Sequence, residues 1–152
     1  MDGGAGNDTF VVDNLGDEVT DASGIDLVMT YVNLTLGGTL ENLRLMGTNA
    51  LNGTGNNLDN MVWANIGDNS VDGGAQVKAG DTLSFEFGAT SGITFDLSII
   101  EAQATGGSGT DTARDFENLI GSNYDDLLAG SGGSNSLDGL GGEDTVAYQS
   151  AA

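Results

Sequence analysis

The chain contains no cysteine, no histidine and no proline. Without cysteine there are no disulfides and no thiolate metal sites. Without cysteine or histidine the usual nucleophile–base pairs are also missing, and no serine sits in a nucleophile elbow. Nothing marks an enzyme. Positive charge is nearly absent: Arg44, Lys78 and Arg114 stand against 23 Asp and Glu, for a net charge of −20. Such a surface repels a nucleic-acid duplex and an anionic lipid surface, so both are excluded as partners. Apolar runs are too short for membrane insertion. The opening MDGGAGNDTF has neither a basic n-region nor an apolar h-region, so it is not an N-terminal signal peptide. A repeat is already under way at residue 3, so the expectation is export without such a signal, or an excised fragment. The partners this charge favours are cations.

What the chain does contain is glycine, 26 residues of it, placed periodically. Residues 121–147 divide into the nonapeptides GSNYDDLLA, GSGGSNSLD and GLGGEDTVA. Each has Gly first (Gly121, Gly130, Gly139), an acid or amide sixth (Asp126, Asn135, Asp144) and an aliphatic eighth (Leu128, Leu137, Val146). GGAGNDTFV at 3–11 and GGSGTDTAR at 106–114 follow the same scheme, with Asp8 and Asp111 sixth. The beat continues at Asp17 and Asp26, then at Asn60 and Asn69, and reaches Asp81 late, across an insertion at Gln76–Ala79. Residues 28–36, 82–87 and 93–97 read as half-buried strands, with Leu83, Phe85 and Phe87 on one side of the second. No helical periodicity is present, and the glycine content opposes helix throughout.

A nine-residue unit with one large apolar side chain buries nothing alone, but stacked units can. Two nines make a coil of about 18 residues with a strand on each side, and successive coils pair as parallel strands. The fold class is therefore all-β, a right-handed parallel β-roll or β-helix solenoid forming one domain over 1–152. Within it, 1–30 are N-terminal repeats, 31–105 degenerate coils with inserted strands, and 106–147 C-terminal repeats. The core is thin and the charge self-repelling, so neutralisation is needed to offset chain entropy. Turn glycines free backbone carbonyls to converge, and the sixth residue adds a carboxylate, a donor set suited to calcium. At one coil per 18 residues, Asp8 lies over Asp26 and Asp126 over Asp144, each pair able to sandwich an ion.

GGAGNDTFV and GGSGTDTAR resemble the calcium-binding nonapeptide G-G-x-G-x-D-x-U-x of the RTX family, the hemolysin-type repeats of large secreted bacterial proteins. The resemblance implies several bound Ca2+ ions, folding on calcium binding, and type I secretion to the extracellular space or cell surface. It makes Asp8, Asp111, Asp126 and Asp144 side-chain ligands. The accompanying turn ligands are Gly3, Ala5 and Gly6; Gly106, Ser108 and Gly109; Gly121 and Asn123; and Gly139, Gly141 and Gly142. Asp26 and Asp81 join them as ligands in imperfect turns. Asp111 is expected to stack toward Asp126 in a shortened coil. Asn60, Asn69 and Asn135 read as structural amides, so the middle is expected to be coiled but largely metal-free. Trp63 reads as packing or a surface cap. Polysaccharide binding and self-association into an extracellular layer are the alternatives to a plain folding module.

Overall fold

The computed structural model describes residues 1–75 and 80–148. The insertion at 76–79 lies outside the described residues. Fifteen short strands follow one another. They are β1 (Thr9–Val12), β2 (Leu27–Thr30), β3 (Leu34–Thr35), β4 (Asn42–Leu45), β5 (Asn52–Asn56), β6 (Met61–Trp63), β7 (Ser70–Gly74) and β8 (Thr82–Ser84). The remainder are β9 (Thr94–Asp96), β10 (Gln103–Ala104), β11 (Thr110–Arg114), β12 (Asn118–Ile120), β13 (Leu127–Ala129), β14 (Ser136–Asp138) and β15 (Thr145–Ala147). The described residues contain no helix.

Strands β1, β2, β4, β6, β8, β12 and β14 pair in that order as one parallel sheet. Opposite it, β3, β5, β7 and β11 pair in parallel, and β9, β13 and β15 do so further along. The chain is a parallel β-solenoid of about eight turns. Strands this short have no stability of their own. Those of the seven-stranded sheet form because each contributes an inward apolar residue to a column shared with its neighbours. Along the seven-stranded sheet that column is Phe10, Val28, Leu43, Val62, Leu83, Leu119 and Leu137, aligned by register. All but Leu137 are buried, each contributing about 1.5–3 kcal/mol of transfer free energy. Across the core, β5 presents glycine inward. A Cβ on Gly53 would lie 3.0 Å from Leu43 Cδ2, so the leucines of β4 fill the space that β5 leaves.

Three expectations are corrected. Residues 28–36 are two strands, β2 and β3, joined by a corner at 31–33, because the chain must cross to the opposite face after four residues. Phe85 is buried as expected, but the chain turns after β8 and carries Phe87 to the surface. The third correction has the largest consequence. After β8 the chain crosses to β9, reverses, and returns through β10, which pairs antiparallel with β11 (Gln103 with Asp111, Ala104 with Thr110). Thr94 N–H donates to the Thr105 carbonyl at 2.9 Å, and Ile93 bridges antiparallel to Gly106. β10 thus stands between β11 and β9, and β11 stacks on β7. Asp111 therefore cannot reach Asp126, and its turn, with Gly106, Ser108 and Gly109, faces the turn before β7 instead. The crossing is tight: a Cβ on Gly107 would lie 2.0 Å from the Ser91 carbonyl oxygen.

Candidate cation sites along the coil edges

The sixth residue of each unit sits at a corner of the coil, and its side chain turns inward under its own turn. The first glycine makes room for it. A Cβ on Gly121 would lie 2.1 Å from Asp126 Oδ2, on Gly139 2.2 Å from Asp144 Oδ2, and on Gly130 2.5 Å from Asn135 Oδ1. The folded-back carboxylates of Asp126 and Asp144 accept the backbone N–H of their counterparts one coil earlier, whereas Asn135 donates from Nδ2 to the Glu117 carbonyl (2.9 Å).

Two ladders result. In the inner one, Asp8 N–H donates to Asp26 Oδ1 (2.8 Å, 18 residues on) and Asp26 N–H to Glu41 Oε2 (2.9 Å, 15 residues on). It continues with Asn60 N–H to Asp81 Oδ1 (2.7 Å, 21 residues) and Asp81 N–H to Glu117 Oε2 (2.9 Å, 36 residues). On the opposite edge, Asn69 N–H donates to Asp111 Oδ1 (2.7 Å) across the 42 residues of the excursion, and Asp126 N–H to Asp144 Oδ1 (2.9 Å). The outer ladder uses the fifth residue. Asn7, Asp68 and Asp125 accept N–H bonds from Ile25, Thr110 and Glu143 of the next coil, at 2.8–3.0 Å.

One carboxylate oxygen is thereby engaged at each step, and the second decides what the site can hold. Oδ2 of Asp8, Asp26, Asp81 and Asp111 is closed off from solvent and has no hydrogen-bond partner. Asp26, Asp81 and Asp111 are themselves at most 1 % exposed. A buried carboxylate oxygen without a donor is costly, so a positive charge placed beside any of them would be stabilising. The densest cluster is N-terminal: Asp8, Asp21 and Asp26 bring a carboxylate oxygen each to within 4.8 Å of one another. Both Asp21 oxygens lack a partner. Asp21 stands where its unit would carry the first glycine, and it enters the space Gly3 leaves open, where a Cβ would lie 2.7 Å from Asp21 Oδ1. Three hard oxygens around one gap, with glycine carbonyls nearby, fit a calcium ion. Asp21 was not legible as a ligand. Its only signal is an acid one coil beyond a first-position glycine.

The C-terminal set differs. Asp126 is buried, but Ser122 N–H (2.6 Å), Ser122 Oγ (2.8 Å) and Ile93 N–H (2.6 Å) all donate to its two oxygens. Asp144 is exposed, with Gly141 half-buried and Gly142 and Asn123 at the surface beside it. Gly6 and Ala5 are likewise exposed, at the rim of the N-terminal cluster. Ser108 is buried and donates from Oγ to the Asn65 carbonyl at 2.6 Å, which ties the Asp111 turn to the coil of β7.

Among the described residues, no side-chain cation relieves these groups. Arg114 lies 3.9 Å from Asp72, and Arg44 stacks 3.9 Å over the Phe87 ring. Phe87 in turn contacts Trp63, whose indole N–H donates to Glu86, so Trp63 belongs to a surface cluster. Burial pushes the Asp81 carboxyl up to about 6, with the charges of Glu117, Asp59 and Asp115 adding to it against the Asn60 N–H. Burial likewise lifts Asp111 to about 7, helped by Asp68 and opposed by the Asn69 N–H. Asp21 is raised by burial first, then by the neighbouring Asp26 carboxyl and the charge of Asp8.

A pH dependence follows from these directions. A carboxyl raised in the folded state stabilises the fold fully below its unfolded value of about 4, and that contribution is lost as pH rises through about 6 for Asp81 and about 7 for Asp111. In chelator, acidification from about pH 7.5 to about 5 is therefore expected to increase β-structure and melting temperature. Circular dichroism checks this, and a chelated chain that loses structure over that interval contradicts it.

No curated protein and no solved structure matches the chain. The family model for the RTX calcium-binding nonapeptide repeat matches in four copies, over residues 1–14, 54–76 and 116–148. These segments contain the Asp8 turn, the Asn60–Asn69 turns and the Asp126–Asp144 turns, and RTX repeats bind calcium. The chain thus carries RTX calcium-binding nonapeptide repeats in its N-terminal, central and C-terminal parts.

Proposed function

We propose that the chain is a calcium-triggered folding module of an exported protein. Its carboxylate turns stay unordered at low calcium and order on meeting extracellular calcium, which supports export and later stability. The observation that carries this reading is the set of buried carboxylate oxygens without donors at Asp8, Asp21, Asp26, Asp81 and Asp111. In the absence of a cation these groups repel one another inside the fold, and the net charge of −20 adds to the repulsion. A divalent ion reverses the sign of the interaction at each cluster, so that binding free energy becomes folding free energy. Asp8, Asp21 and Asp26 hold the N-terminal ion in this reading. Asp111 with the Gly106–Gly109 turn, Asp81 and the Asp126–Asp144 step are further positions.

Limited proteolysis tests the trigger at two calcium levels, submicromolar and millimolar. The expected result is rapid cleavage of the N-terminal repeats and of 121–147 at low calcium, and resistance at high calcium. Equal susceptibility at both levels rules the reading out.

A further inference from the structure

Two turns in the middle of the solenoid share the pattern N-x-x-D-N, at 56–60 and 65–69, one on each edge of a single coil. Their first asparagines do what no side chain does in the open turns. Asn56 Nδ2 donates to the Gly37 carbonyl (2.6 Å) and the Leu40 carbonyl (2.7 Å), both in the turn one coil earlier. Asn65 Nδ2 donates to the Met46 (3.2 Å) and Asn49 (3.0 Å) carbonyls of the earlier turn on its own edge. In each case one NH2 group, two N–H dipoles on a single atom, gathers two carbonyls between stacked turns.

The second asparagine closes the rest. Asn60 Nδ2 donates to the Glu41 carbonyl (3.0 Å), and its Oδ1 accepts Asn56 N–H (2.7 Å). Asn69 Nδ2 donates to Asn65 Oδ1 (2.9 Å), and its Oδ1 accepts Asn65 N–H (3.1 Å). None of these four side chains leaves a buried polar atom unpartnered. In the open turns the matching first positions are Gly4, Ala22 and Gly107, which have no side-chain donor. There the sixth residues, Asp8, Asp26 and Asp111, keep an orphan oxygen. The same central coils bury Leu43, Leu45, Leu51, Val62, Ala64 and Val71.

We infer that the amide groups of Asn56 and Asn65 take the place of the cation between the central turns. The segment from about residue 37 to 74 thus folds without calcium and is the platform on which the cation-requiring ends order. The inference rests on the calcium-triggered reading and adds to it a fixed order: centre first, ends on calcium. Neutral amides satisfy the carbonyls at no electrostatic cost, whereas a carboxylate turn must wait for its ion.

Hydrogen exchange of the full chain in chelator and in millimolar calcium tests it. In chelator, amides of 42–74 are expected to exchange at least about a hundredfold more slowly than those of 9–12 and 145–147, and calcium should then protect all three. Equally fast exchange in centre and ends, with both restored by calcium, overturns the inference and leaves the calcium reading intact. Strong protection of both in chelator overturns the calcium reading and the inference with it. Asn65→Asp supplies an independent arm, because it removes the NH2 group and adds a carboxylate. Central protection in chelator should fall to the level of the ends, and calorimetry in calcium should count one more ion. Unchanged central protection in the variant overturns the inference.

Discussion

Asp21→Asn is expected to stabilise the chain in chelator and to weaken it in calcium. The reversal of sign is the point. Asp21 brings a third carboxylate to within 4.8 Å of Asp8 and Asp26, and both its oxygens are shut off from solvent without a donor. In the absence of an ion, the substitution removes one of three like charges and supplies an NH2 donor to oxygens that lack one, so repulsion falls. With calcium present it deletes a charged ligand, and calcium affinity depends on ligand charge count. Melting curves in chelator and in millimolar calcium should cross between variant and parent. The N-terminal site should lose about tenfold or more in affinity by calorimetry. A variant that melts above the parent in both conditions would show that Asp21 meets no ion.

Phe95→Ala is expected to cost about 3–5 kcal/mol. Phe95 is 1 % exposed, packs on Phe85 with ring centroids 5.3 Å apart, and aligns with Leu128 across the β9–β13 pair. It is the apolar anchor of the 85–109 excursion, and the core of a two-faced solenoid is too thin to collapse around a lost ring. Its loss would leave β10 and the Asp111 turn held mainly by hydrogen bonds. Val146, an eighth-position residue with the same role by sequence, is 45 % exposed on the last strand, so Val146→Ala should cost about 0.5 kcal/mol or less. Denaturant unfolding in calcium measures both. Similar costs at the two positions would mean that burial does not rank these residues as described.

How much of this was legible depends on what repeats. The nine-residue phase identifies the strands of the regular coils and the vertical neighbours Asp8–Asp26 and Asp126–Asp144, because an 18-residue step returns the chain to the same corner. The excursion was not legible. TLSFEF and ITFDL alternate like any half-buried strands, and alternation carries no direction, so nothing in it reveals that the chain doubles back through β10. Asp111 was assigned to the wrong neighbour for that reason, since sequence distance is a poor guide once a layer is skipped. Glu41 lies 15 residues from Asp26, out of the nine-residue phase, and the turn before Glu117 lacks glycine, yet the longer side chains reach the same N–H from differently shaped corners. The asparagines were readable as structural, but not the carbonyls they gather, which depend on the preceding coil. At the Asp126–Asp144 step the nine-residue phase does not reveal that Ser122 and Ile93 already donate to Asp126.

The central claim is that buried carboxylates without donors make the fold conditional on calcium. Circular dichroism of the full chain, followed through a calcium titration from chelator and back into chelator, tests it most directly. The account predicts partial β-structure in chelator, a cooperative gain as calcium is added, and full reversal when the ion is removed. A spectrum that is fully β in chelator and unmoved by calcium would contradict it.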